Sequence, residues 1–215
     1  MRRPSASFEG GGYKESMKRA AADLTGKEAY ALLVDSVVPR PVAWVTSIGP
    51  DGEVNLAPFS FFSGVSARPP IVSLAISSRP VREDEGRGGL SLLGGDGRYV
   101  GKDTLRNVVR QGHYVIHLMA DDSAGLVAAS AADFPPGTDV PTELGLETLP
   151  GEWVSTPRLA AAPVALECRM DSVVEVGRPA TYLLLGEVMG WHVHDELVDQ
   201  DGRIWAERWS PLARL

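Results

Sequence analysis

From Pro39 onward the sequence breaks into short apolar runs separated by glycine, proline and aspartate, a spacing that favours a barrel or sandwich over alternating strand and helix units. Val42 to Ile48 (VAWVTSI) and Val54 to Phe62 flank Gly49-Pro50-Asp51-Gly52, whose Asp-Gly step supplies the positive φ angles of a hairpin turn. Ile71 to Ser77 follows Pro69-Pro70, a pair without backbone donors that suits a strand entry. The stretch Arg79 to Gly101 has no periodicity and reads as a long mobile loop or lid.

Asp103 fits the N-cap of a short helix over Thr104 to Gln111, with Leu105, Val108 and Val109 at helical spacing and Gly112 as its stop. A strand is expected over His113 to Met119, then a helix from Ser123 to Ala132 capped by Asp122, then coil to Pro163. In Ala165 to Val176, alternation puts Leu166, Cys168, Met170, Val174 and Val176 on a core face and Glu167, Arg169, Asp171 and Glu175 on the other. Gly177 to Pro179 forms a turn, and Thr181 to His194 returns as a strand. The class is mainly β, with about six strands, two helices inserted in the connections, and a small barrel that closes its own edges. Residues 1–25, with a GGG run at Gly10 to Gly12, read as a flexible tail, leaving 26–215 as one domain.

Composition removes several functions. A formal net charge of -7 without a basic run argues against a nucleic-acid surface. One cysteine, Cys168, permits no internal disulfide and fits a reducing, cytoplasmic setting. No apolar stretch reaches the length of a membrane span. A GxGxxG turn after a strand, a P-loop and a GxSxG elbow are all missing, so Rossmann, NTPase and α/β-hydrolase chemistry lack their residues. His192, His194 and Asp195 have too few neighbouring ligand types for a metal site to be expected.

Two places can hold a ligand. Ser77, Ser78 and Arg79 at a strand end, with Lys102, Asp103 and Thr104 at a helix start, combine cations with unpaired helix N–H groups, as an anion requires. By pattern alone the favoured reading is that Arg79 and Lys102 are solvated surface charges and Thr104 a helix-start residue. In Asn55 to Ser60 (NLAPFS), Pro58 cannot pair in a ladder, so the strand bulges or lies at an edge and frees backbone groups for a planar ligand. By pattern alone the favoured reading of the same run is an edge strand leading into Phe59, Phe61 and Phe62 as core or dimer-interface aromatics.

The run PRPVAWVTSIGPDGEVNLAPFSFFSGVSARPPIVSLAIS, then KDTLRNV, DFPPGTDV with LGLET, APVALEC, GEVMGWHVHDEL and WSPLARL, in that order, resembles the flavin reductase-like family of FMN-binding split barrels. The resemblance implies a Greek-key split β-barrel, a homodimer with FMN in a cleft between protomers, and NAD(P)H as electron donor. It implies that Thr46, Ser47, Asn55, Ala57, Pro58 and Ser60 face the isoalloxazine ring and ribityl chain, that Arg79, Lys102 and Thr104 face the phosphate, and that His192 contacts the nicotinamide side. The activity implied is hydride transfer from NAD(P)H to flavin, serving a small-molecule substrate or a flavin-dependent partner enzyme. A non-catalytic FMN-binding electron carrier and a pyridoxamine-phosphate-oxidase-like enzyme are the alternatives, the latter wanting further Arg and His contacts for a second phosphate.

Overall fold

The computed structural model describes residues 17–81 and 99–215. Most of the expected tail and most of the expected 79–101 loop therefore lie outside the described residues. The chain divides into two units, Met1–Val38 and Pro39–Leu215. The first carries helix α1 (Gly26–Ser36), which the sequence reading did not anticipate. It starts at a reciprocal capping box in which Thr25 Oγ1 accepts from the Glu28 N–H and the Glu28 carboxylate accepts from the Thr25 N–H at 2.9 Å.

The second unit contains strands β1 (Arg40–Pro41), β2 (Ala43–Ile48), β3 (Val54–Phe59), β4 (Phe62–Ala67), β5 (Pro70–Pro80) and β6 (Tyr99–Gly101), followed by helix α2 (Asp103–Gln111) and strand β7 (His113–Leu118). Helices α3 (Ala124–Ala129) and α4 (Val140–Glu143) come next, then β8 (Thr148–Leu149), β9 (Arg158–Leu159), β10 (Val164–Val176), β11 (Thr181–Val193) and β12 (Ala213–Arg214). The main sheet is antiparallel with order β3-β2-β7-β10-β11-β5-β4, and β6 pairs with β5. β3 also contacts β5, so the sheet wraps around its core.

Alternation along the strands gives the sheet two apolar sides. Val45, Leu74, Ile116, Leu166, Cys168 and Leu184 fill the inside, closed by Leu105 and Val108 of α2. Trp44, Leu56, Val115 and Ala165 point outward and are covered by Val127 of α3, Val140 of α4 and Leu159. Asp139 anchors this outer layer by accepting from Thr142 N–H at the start of α4 and from Val54 N–H at the start of β3.

Several expectations need correction. The run Val54 to Phe62 is two strands, broken at Ser60 and Phe61. Both ends of the expected Arg79 to Gly101 loop are paired strand, with Ser78 opposite Gly101 and Arg79 opposite Val100. Asp103 does not cap α2: the N-cap is Lys102, no side chain closes that terminus, and the Asp103 carboxylate pairs with arginines instead. The helix expected to run to Ala132 under an Asp122 cap spans only Ala124–Ala129 and has no side-chain cap bond. The coil expected before Pro163 contains α4, β8 and β9. In β10 the register shift at Met170/Ser172 leaves Asp171 without a partner across the strand and reverses the side-chain alternation, so Val173 packs on the core while Val174 and Val176 are exposed. Glu167, placed on the solvent side by alternation, is fully buried.

Candidate functional site

The β2–β3 hairpin brings Ser47 opposite Asn55, and both meet the first two turns of α2. Asn55 Nδ2 donates to Thr104 Oγ1 at 2.9 Å and lies 3.4 Å from Ser47 Oγ, which also accepts from Asn107 Nδ2 at 3.2 Å. Ser47, Thr104 and Asn107 are buried. Four polar side chains from three elements therefore share one hydrogen-bonded cluster below the closed end of the core. Asn107 is absent from the sequence-derived set; its spacing from Thr104, one helical turn on the same face, was the available signal.

Beside this cluster, the pairing of β5 with β6 carries Ser78 and Arg79 to the start of α2. Arg79 Nη2 lies 3.6 Å from Asp103 Oδ1, which also pairs with Arg106 Nη1 at 3.2 Å, and Arg79 Nη1 donates to the Pro80 carbonyl at 3.2 Å. Lys102 is exposed at the N-cap. Ser78 Oγ is enclosed and, among the described residues, has no hydrogen-bond partner. An orphaned hydroxyl, two cations and an uncapped helix terminus fit a phosphate group, whose oxygens accept from each of them. Among the described residues Asp103 is an opposing charge at this site.

The remaining sequence candidates are distributed. Ala57 follows Asn55 on the inner side and packs against the inner core, whereas Pro58 lies opposite Trp44 of the outward-facing set. β3 ends the sheet order, the edge position that was one of the two outcomes open to Pro58. Ser60 sits partly buried between β3 and β4, and Ser77 is exposed opposite Thr181. Thr46 points outward, away from Ser47, and donates its hydroxyl to the Pro157 carbonyl at 2.7 Å.

His192 forms a separate group. Its Nε2 lies 2.6 Å from Glu167 Oε1, and the same carboxylate accepts the N–H groups of Glu152, Trp153 and Val154. Burial raises the Glu167 carboxyl, but these donors outweigh it and hold the group below its ordinary value. No hydrogen bond joins His192 to the Ser47 cluster among the described residues. The sequence reading missed Glu167 because a buried acid has the same alternation as an exposed one.

A model of the flavin reductase like domain matches residues 35–208. The chain belongs to the flavin reductase-like family. A relative from Halalkalibacterium halodurans is 35% identical over 93% of this chain and 88% of its own length. Nitrilotriacetate monooxygenase component B from Bacillus cereus superposes with a TM-score of 0.81 at 30% identity, covering 94% of this chain and 93% of that one. A Shewanella frigidimarina protein with a split barrel domain shares the fold at 16% identity, with a TM-score of 0.71 over 93% and 92% of the two chains. The wrapped sheet is the split barrel of this family, and the chain is an oxidoreductase-type module of the flavin reductase kind. Among the described residues no helix is long and apolar enough to cross a membrane.

Proposed function

We propose that this flavin reductase-like chain binds FMN and passes hydride to it from NADH or NADPH, working as a cytoplasmic homodimer. The observation that carries the reading is the meeting of Ser78, Arg79 and Lys102 at the uncapped start of α2, directly beside the Ser47, Asn55, Thr104 and Asn107 cluster. A phosphate end and a polar end for a heterocycle and its hydroxylated chain are thereby adjacent, joined at Thr104. In this reading Ser78 Oγ, the Arg79 guanidinium, Lys102 Nζ and the first N–H groups of α2 hold the phosphate. Asn55 and Ser47 supply polar contacts toward the ring, and the backbone of edge strand β3 around Pro58 stays free of a second ladder.

When bound, the flavin supplies the two-electron acceptor; the protein supplies position and electrostatics, and no dedicated acid or base is compulsory. The likeness to a protein named as a monooxygenase component supports a role in which reduced flavin serves a partner enzyme. The test is an absorbance trace of the purified protein with FMN, followed by anaerobic NADH and then NADPH. Bleaching of the flavin band is the expected result; flavin that stays oxidised with both donors points instead to a non-catalytic carrier.

A further inference from the structure

The outer side of the sheet carries a serine, a histidine and a threonine bonded in a chain. Ser155 Oγ lies 2.8 Å from His113 Nε2, and the other ring nitrogen, Nδ1, lies 2.7 Å from Thr156 Oγ1. The Thr156 hydroxyl donates to the His113 carbonyl over a long 3.5 Å, which leaves its oxygen to accept from Nδ1–H. That tautomer aims the lone pair of Nε2 at the Ser155 hydroxyl. Thr156 is fully buried, His113 is partly buried and Ser155 is exposed, so the chain runs from the interior outward with the serine at its open end. Burial holds the His113 imidazole below its ordinary value, so it is neutral and able to accept a proton at pH 7.

The loop is pinned on both sides of Ser155. Before it, the Glu167 carboxylate accepts the N–H groups of Glu152, Trp153 and Val154 at 2.8, 2.6 and 2.8 Å. After it, Thr46 Oγ1 donates to the Pro157 carbonyl at 2.7 Å. Both anchors, Glu167 and Thr46, are buried residues of the main sheet. Gly151 lets the loop fold back tightly: a Cβ there would fall 2.2 Å from the Val154 carbonyl and 2.8 Å from that of Thr156. The Ser155 N–H donates to no acceptor among the described residues, which leaves it for an oxyanion formed at its own side chain. A serine that meets a histidine by chance has neither a third group on the far ring nitrogen nor a backbone held on both sides.

We propose that Ser155 is the nucleophile and His113 the general base of a hydrolytic site for small carboxylic esters, with Thr156 as the residue that positions the imidazole. Ser155 Oγ attacks the ester carbonyl carbon while Nε2 takes the hydroxyl proton; the bond to the alcohol oxygen then breaks and Nε2 returns the proton to that oxygen. Water next attacks the acyl carbon held on Ser155, Nε2 takes its proton and passes it to Ser155 Oγ, and the carboxylic acid leaves. A neutral threonine supports the imidazolium less than a carboxylate would, so the substrates are activated esters whose alcohol departs readily. The inference is independent of the flavin reading, because Ser47 belongs to the opposite face of β2 from Thr46.

The probe is p-nitrophenyl acetate, and the full chain is compared with Ser155→Ala, His113→Gln, Thr156→Val and Thr156→Ser. The unsubstituted protein should release about one nitrophenolate per chain in a burst and then turn over slowly. Peptide mapping should find the acetyl group on Ser155. Ser155→Ala should lose the burst and that acetyl group, and His113→Gln should slow acylation by about two orders of magnitude. Thr156→Val should slow it roughly tenfold, with Thr156→Ser recovering most of the loss. Nitrogen NMR of the His113 ring should show the proton on Nδ1, a preference that Thr156→Val should abolish. If the His113 and Thr156 variants do not fold, the exposed Ser155→Ala decides the site together with the ring tautomer of the unsubstituted protein. Acetyl groups on lysines alone, or an equal burst from Ser155→Ala, overturns the nucleophile. A ring proton on Nε2 overturns the general base.

Discussion

Asn55 Nδ2 donates to Thr104 Oγ1 at 2.9 Å, and this bond ties the edge strand β3 to the first turn of α2. It joins the two halves of the proposed flavin site, which are 49 residues apart in sequence.

Asn55→Ala removes that link and leaves the buried Thr104 hydroxyl without its donor. The substitution should lower stability by about 1–2 kcal/mol and weaken FMN and riboflavin alike, by roughly tenfold. Urea unfolding and flavin-fluorescence titration check the two effects separately. Loss of FMN affinity alone would move Asn55 to the phosphate end.

His117 predicts a pH dependence unrelated to the ligand. It is fully buried, bonded through Nδ1 to the Trp44 carbonyl at 2.8 Å and accepting at Nε2 from Leu159 N–H at 2.9 Å. Burial above all, with the Arg158 and His192 charges, pushes it down from 6.5 to about 4. The folded state therefore resists a proton that the unfolded chain takes up at pH 6.5. Stability from this group is complete above pH 6.5, falls as pH drops from 6.5 toward 4, and falls no further below that. The total is about 3 kcal/mol. Urea unfolding at pH 7.5, 5.5 and 4.5 should show most of this decline, and His117→Gln should flatten it.

Cys168 is buried among the inner core, opposite Tyr114 on β7, and burial pushes its thiol well above the ordinary value. A disulfide reagent at pH 8 should leave the folded protein unlabelled over minutes and label one thiol at once in denaturant. Rapid labelling of the folded protein would show that β7 and β10 separate readily.

The homodimer is expected on the evidence of β4. This strand ends the sheet order, five of its six residues are exposed, and Val65 is 57% exposed. Phe59, by contrast, is committed to the inner core, so the interface must use other residues. Light scattering at micromolar concentration should give twice the chain mass, with an interface of roughly 2,000 Å² or more in total. A monomeric mass, or a dimer unaffected by Val65→Lys, contradicts this placement.

Short-range chemistry made much of this fold legible. Pro58 required a bulge or an edge, and β3 is an edge; Gly112 is expected as a helix stop and adopts the left-handed conformation with φ 80°; Asp51-Gly52 closes the β2–β3 hairpin with Gly52 at φ 91°. The family resemblance, rather than short-range chemistry, implies Ser47 and Asn55 at the ring end and Thr104 at the phosphate end of one ligand, and the three side chains meet in space. What escaped depends on long-range context. The bulge at Asp171 reverses the alternation of β10 only because β11 imposes the register, so Val174 was placed in the core; Glu167 keeps its expected face and is buried because the loop at Glu152 to Val154 covers it. Thr46 could not be separated from Ser47 without knowing that both faces of β2 are covered. The capping box at Thr25 and Glu28 is legible as T-x-x-E ahead of the apolar run Ala29 to Val34, a signal absent from the sequence reading above.

The central claim is that Arg79 and Lys102 hold a flavin phosphate at the start of α2, and titrating FMN and riboflavin into Arg79→Ala, Lys102→Ala and Asp103→Asn tests it most directly. Each alanine variant should weaken FMN by about one to two orders of magnitude, since a charge-assisted hydrogen bond contributes roughly 1.5–3 kcal/mol, and should leave riboflavin unchanged. Asp103→Asn removes the opposing charge 3.6 Å from Arg79 and should tighten FMN alone. Equal losses for FMN and riboflavin in the alanine variants, or FMN affinity unchanged in both, would contradict the account and return Arg79 and Lys102 to ordinary surface charges.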